Sequence, residues 1–166
     1  MKDLDLNSIN RTAPYKVYRT ERYHYYGFVT KTGVDLYVGF DDDDLITTES
    51  YKLIILNCHN RPSPRDAAVK DTIFAIIKEF FRVNNATMLY ICETGDGKQA
   101  MRSRLFSYWF ITFADKGKFT YLQSSIKDAE GVDNFFAIIT RNDNPNLKRV
   151  ITEFYEAVDF FGHKPD

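Results

Sequence analysis

The chain has little of what small proteins use to hold themselves together covalently. Only two cysteines, Cys58 and Cys92, occur in 166 residues. Two thiols make no disulfide framework, and they suit a reduced, cytoplasmic setting. No apolar run approaches the roughly 18 residues needed to cross a bilayer. The polar start, Met1-Lys2-Asp3-Leu4-Asp5, has no signal-peptide core. A basic excess is missing as well. The formal net charge is -1, which argues against a dedicated nucleic-acid binder. His24 and His163 have no companions at ligand spacing, so no metal site is expected.

What the chain has in plenty is aromatic rings, 14 Phe and 11 Tyr, so its core is built from them. Hydrophobic residues make up 44%, enough for a real core in one domain at this length. Residues 1 to 14 are polar, end in Pro14 and read as a loose lead-in. Residues 15 to 166 are expected to form a single α+β domain, with no repeat and no low-complexity linker inside it.

Tyr15 to Arg19 suits a short strand, and Tyr23–Thr30 and Val34–Phe40 suit longer ones, joined at the hairpin turn Lys31-Thr32-Gly33. Asp41-Asp42-Asp43-Asp44 follows. Neighbouring carboxylates diverge and no calcium-loop spacing completes them, so the run reads as a solvated, self-repelling loop. Tyr51–Cys58 is the next strand. Ser63-Pro64-Arg65-Asp66 then offers a cap hydroxyl, a proline at the first helical position and an acid three residues after the cap. Val69, Ile73, Ile76, Ile77 and Phe80 recur at helical spacing, which predicts a helix over 64–83. Asn84-Asn85 ends it, and Met88-Leu89-Tyr90-Ile91-Cys92 suits a central strand. Strand, helix, strand is a crossover unit, and its strands should be adjacent and parallel.

Beyond the turn Gly95-Asp96-Gly97, a second helix is expected through Met101, Leu105, Tyr108, Trp109 and Thr112. Lys118–Ser125 and Asn134–Thr140 read as a strand pair about Glu130-Gly131. A last helix opens at Asn144-Pro145-Asn146, with Val150, Ile151, Phe154, Ala157, Val158 and Phe161 on its apolar face. The expected fold is a mixed, mostly antiparallel sheet with one crossover and an extra C-terminal helix.

Polar clusters gather at the crossover. A thiolate beside an imidazole is a known nucleophile arrangement, and Cys58-His59 ends one strand while Cys92 ends its neighbour. Adjacent strand residues point to opposite faces, however, and cysteines in apolar strands are usually small core residues. Both are therefore read as inert. Arg61, Arg65 and Lys70 crowd a helix start, which favours anions. The plainer reading is a charged surface with Asp66 and Asp71 as partners. Lys98 and Arg102 share a helix face, yet Gly95-Asp96-Gly97 lacks a phosphate-loop signature. Trp109 and Phe110 continue the apolar pattern as core. Tyr23, Tyr25 and Tyr26, with Arg19 and Arg22, could stack bases, or sit as half-buried sheet aromatics, the reading preferred here.

The element order over residues 23 to 140 resembles the acyl-CoA N-acyltransferase (GNAT) fold. There a three-strand meander leads into a helix whose start holds the CoA pyrophosphate, followed by a splayed parallel strand, a second helix and a hairpin. The resemblance implies a CoA or acetyl-CoA ligand at Arg61, Ser63 and Arg65. That family's phosphate loop carries glycines, whereas Arg61-Pro62-Ser63-Pro64-Arg65-Asp66 has none, and Phe106 stands nearest the place of its acidic tyrosine. Asp71-Thr72-Ile73, Leu89-Tyr90-Ile91-Cys92, Arg104-Leu105-Phe106, Trp109-Phe110 and Asn144-Pro145 are similar to a family of small uncharacterised bacterial proteins. Two functions follow from the sequence: an acyltransferase-like protein that binds CoA or a related nucleotide, or a non-catalytic interaction domain with a protein partner. Catalytic residues and oligomeric state stay unassigned.

Overall fold

Alternating aromatic and β-branched residues build most of the strands in the computed structural model, which describes residues 1–92, 103–104, 107–108, 110–111 and 117–162. The elements run α1 (Leu6–Asn10), β1 (Tyr18–Arg19), β2 (Tyr25–Val29), β3 (Asp35–Asp42), β4 (Ser50–Asn57), α2 (Ala67–Val83) and β5 (Thr87–Cys92). β6 (Phe119–Lys127), β7 (Asp133–Arg141) and α3 (Leu147–Gly162) complete the series. Ser103, Arg104, Ser107, Tyr108, Phe110 and Ile111 are helical, in the segment where the second helix is expected. The strands form one seven-stranded sheet in the order β1-β2-β3-β4-β5-β7-β6. It is mixed and mostly antiparallel, and it makes the protein α+β, as its pattern predicts.

The chain divides into two compact units, Met1–Asp41 with Leu53–Asn85, and Asp42–Lys52 with Ala86–Asp166. In the first, α2 buries Ile73, Ile76, Ile77 and Phe80, and the Phe80 ring stacks on Phe40 at 4.6 Å. The helix starts later than expected. Asp66, and not Ser63, is the cap, and residues 61–65 stay outside the helix. Residues 1 to 14 are not slack. Asp5 caps α1, Leu4 and Ile9 are fully buried, and the Lys2 amide donates to Asn84 Oδ1 at 2.7 Å. Two apolar side chains in a polar stretch were enough to dock it.

The β2–β3 hairpin turns at Gly33, whose φ of 80° suits a residue without a Cβ. Across the same hairpin Tyr25 faces Gly39. A Cβ on Gly39 would come within 2.4 Å of the tyrosine ring, so the glycine lets that ring lie flat on the sheet. The Tyr25 hydroxyl thereby reaches Asp41 and donates to it at 2.8 Å. Asp41 and Asp42 end β3, and Asp43 accepts from the Ser50 hydroxyl at 3.1 Å. Asp41 and Asp42 thus end a strand, while Asp43 and Asp44 lie in the loop that the sequence suggests.

In the second unit β5 runs parallel to the start of β4 through Ser50↔Thr87, Tyr51↔Met88 and Lys52↔Leu89. The expected parallel adjacency is present. β5 also pairs antiparallel with β7 from Met88↔Ile139 to Cys92↔Phe135. Ile46, Leu89, Phe136, Ile138, Val150 and Phe154 form the core of this unit. On α3, Val150, Phe154 and Ala157 are buried as the pattern predicts, but Phe161 is 37% exposed.

Candidate functional site

The site that the sequence points to is the segment from the end of β4 to the start of α2, all within the first unit. β4 stops at Asn57, where a turn begins: the Asn60 amide donates to the Asn57 carbonyl, and Asn60 takes a φ of 50°. Asparagine tolerates that left-handed conformation better than most residues. The Asn57 side-chain amide donates to the Arg61 carbonyl at 2.7 Å, closing the loop on itself.

Arg61, Ser63 and Arg65 all lie exposed on this segment. No described residue accepts a hydrogen bond or ion pair from their side chains. They share a loop, yet no described residue locks their side chains into one geometry.

The start of α2 is occupied from within. The Asp66 carboxylate accepts from the Ala68 amide at 2.9 Å and from the Tyr15 hydroxyl at 2.5 Å. The Tyr15 hydroxyl in turn accepts from the Lys31 amide at 3.2 Å. The Tyr15 bond, foremost, holds Asp66 below the usual carboxylate range, so it is charged at neutral pH. The same bond, with Asp66 accepting, pushes the Tyr15 hydroxyl up. A fixed negative charge therefore stands where an incoming phosphate would meet the helix.

Cys58 is exposed, contrary to its reading as a core residue, because the apolar strand ends one residue before it. Partial loss of water around its sulfur, foremost, and the nearby Asp35 carboxylate raise its pKa, which works against a thiolate nucleophile. His59 turns to Asp35, with Nε2 3.0 Å from the carboxylate. Cys92 is buried, as expected of a small core residue. His24 has a φ of 59° and lies 3.5 Å from Asp3. Among the described residues no three His, Cys, Asp or Glu side chains converge at metal-binding distance. Gly95, Asp96, Gly97, Lys98, Arg102, Trp109 and His163 lie outside the described residues; Phe110, which was expected in the core, is buried. In the second unit Tyr90, Cys92, Ser103, Tyr121, Phe135 and Phe136 line a shallow dent too tight to admit a water molecule. Ligand pockets enclose several hundred Å³, so this dent is not one.

Sequence reasoning placed the loop but missed Tyr15 and Asp35, the residues that fix Asp66 and His59. Neither carried a local signal, since each acts on a residue far along the chain.

Sheet, crossover and terminal helix together define an α+β protein with its polar loop at the end of a central strand. Residues 65–156, more than half of the chain, match the Family of unknown function (DUF6169), and the chain belongs to that family. Arg61 and Ser63 precede the matched segment, and Arg65 is its first residue. No helix among the described residues is long and apolar enough to cross a membrane. No curated protein matches the chain. No solved structure matches it either.

Proposed function

We propose that this protein has an acyl-CoA N-acyltransferase-like architecture and binds CoA, acetyl-CoA or a related nucleotide by its phosphates at Arg61, Ser63 and Arg65. The sheet order carries this reading: a meander feeds the central strand β4, and α2 leads on to the parallel β5. The segment after β4 is where that architecture presents amides to a pyrophosphate, and two exposed guanidinium groups can close on it. The reading commits to binding and leaves acyl transfer aside, because Phe106 has no proton to give.

Pro64 removes one backbone donor and the Asp66 charge opposes an anion, so binding is modest and weakens as salt rises. Calorimetry with CoA and acetyl-CoA tests it. Binding should appear by millimolar ligand, and the double substitution Arg61→Ala, Arg65→Ala should abolish it with the melting temperature unchanged. Asp66→Asn should tighten it, since the amide oxygen still caps the helix without the charge. No heat of binding from any CoA species at millimolar concentration refutes the ligand.

A second reading is a non-catalytic interaction domain. It is favoured by Tyr155 and Phe160 on α3, which are 53% and 66% exposed.

A further inference from the structure

Among the described residues, no strand pairs with the outer edge of β6. β6 closes the strand order, and its nine residues pair with β7 without interruption from Phe119↔Arg141 to Lys127↔Asp133. Natural edges are blunted by shortness, proline, bulges or inward-pointing charge. β6 has none of these between Phe119 and Ile126: the segment Phe-Thr-Tyr-Leu-Gln-Ser-Ser-Ile is uncharged, proline-free and in continuous register.

Which backbone groups face outward follows from two bonds at the ends of the hairpin. The Asn142 amide donates to the Lys118 carbonyl, and the Asp128 amide donates to the Val132 carbonyl. In an antiparallel ladder such bonds recur at every second residue. The even-numbered residues of β6 therefore turn their amides and carbonyls to β7, and Tyr121, Gln123, Ser125 and Lys127 turn theirs away. No described residue bonds the outward amides or carbonyls of those four.

The two faces of β6, by contrast, are in use. Leu122 and Ile126 pack against the core of this unit. On the other face the Ser107 hydroxyl lies 2.9 Å from the Tyr121 hydroxyl and donates to Gln123 Oε1. Among the described residues none pairs with the outer edge of β6, which is left for a partner.

We propose that two copies of this chain pair antiparallel through β6, about a twofold axis at Gln123. A strand lying against its own copy must match outward residues with outward residues. The full-length overlap does so, with Gln123 opposite Gln123 and Tyr121 opposite Ser125 of the second copy. Those pairs alone supply about six backbone hydrogen bonds. The same register sets Thr120 opposite Ile126, Leu122 opposite Ser124 and Phe119 opposite Lys127. It also brings Lys118 opposite Asp128 of the second copy, an opposite-charge pair repeated at both ends by symmetry. No like charges meet anywhere along the overlap. The edge is complementary to itself, which is what an isologous interface requires, and strand addition is the mode it uses.

Sedimentation and hydrogen exchange on the full chain test this. The protein should sediment at twice its 19.4 kDa mass and dissociate on dilution. Ser125→Pro removes an outward amide that makes no bond to β7, so the hairpin tolerates it. By symmetry two central bonds are lost, and the dimer constant should weaken by at least roughly tenfold. Ser125→Thr keeps the amide and should keep the dimer. Should the proline variant fail to fold, exchange decides on the native chain. The amides of Tyr121, Gln123 and Ser125 should gain protection with concentration, while those of Thr120, Leu122 and Ser124 stay protected throughout. A monomer at high concentration, a Ser125→Pro dimer of native affinity, or concentration-independent exchange at the outward amides each overturns the pairing. A monomer whose outward amides become protected only with another protein's extended segment would give the edge to a foreign strand and also overturn it.

Discussion

Tyr15 and Asp66 stand 51 positions apart and meet at the start of α2. Their contact does two things at once. It ties the segment before β1 to the helix, with Tyr15 also stacked on Phe28 at 5.9 Å, and it keeps a charge at the place where the proposed phosphate would dock. The Asp66 pKa is lowered in the fold, chiefly by this hydroxyl. Its ionised form is thus favoured by folding. The resulting stabilisation is present above the ordinary carboxylate range and is lost as pH falls through the lowered value. Tyr15→Phe keeps the ring and removes the donor. In that variant the Asp66 carboxyl, followed by carbon NMR, should titrate closer to the ordinary aspartate value. An unmoved midpoint would mean that the hydroxyl contributes nothing to the charge at the helix start.

Among the elements, α2 was the most legible from the sequence, and its start the least. The spacing of Ile73, Ile76, Ile77 and Phe80 marks the buried face correctly, and all four are buried. Phe80→Ala removes a fully enclosed ring stacked on Phe40 and should cost about 3–5 kcal/mol; a loss below ~1 kcal/mol in urea unfolding would show that the site collapses around the gap. The cap is different. Ser63-Pro64 satisfies every local rule for a helix start, yet Asp66 prevails because Tyr15 supplies a partner from far along the chain. Periodicity reports one element's own burial and is blind to such partners. The same blindness hid Asp35 beside His59, and Tyr25 reaching over Gly39 to Asp41. The strands were legible because each carries its own apolar pattern, and the β4–β5 adjacency because a helix joins them. The place of β7 between β5 and β6 has no such local signal. The candidate loop was legible only as a place, since the side chains that set its charge lie on other elements.

At the scale of the whole molecule the tyrosines and carboxylates set opposite limits on stability. Burial, with Asp41 accepting, pushes the Tyr25 hydroxyl up to about 12. Burial also raises Tyr51, beside Glu49, and Tyr26 and Tyr121. A raised tyrosine favours the neutral form in the fold. Its contribution is complete below the ordinary value of about 10 and disappears as pH climbs from there through the raised values. On the acid side Asp66, Asp128 and Asp143 are lowered, by the Tyr15 hydroxyl, the Val132 amide and the Arg141 guanidinium respectively. Their contributions vanish as pH falls below the carboxylate range, but these groups face solvent, and screening keeps each one small. The urea midpoint should therefore be nearly level from about pH 5 to 9, decline gently in acid and fall steeply above about pH 10. Tyr25→Phe separates the two limbs: it should flatten part of the alkaline fall while leaving the acid limb as it was. A wild-type profile steeper in acid than in alkali would mean that carboxylate pairs, and not buried tyrosines, dominate the pH response.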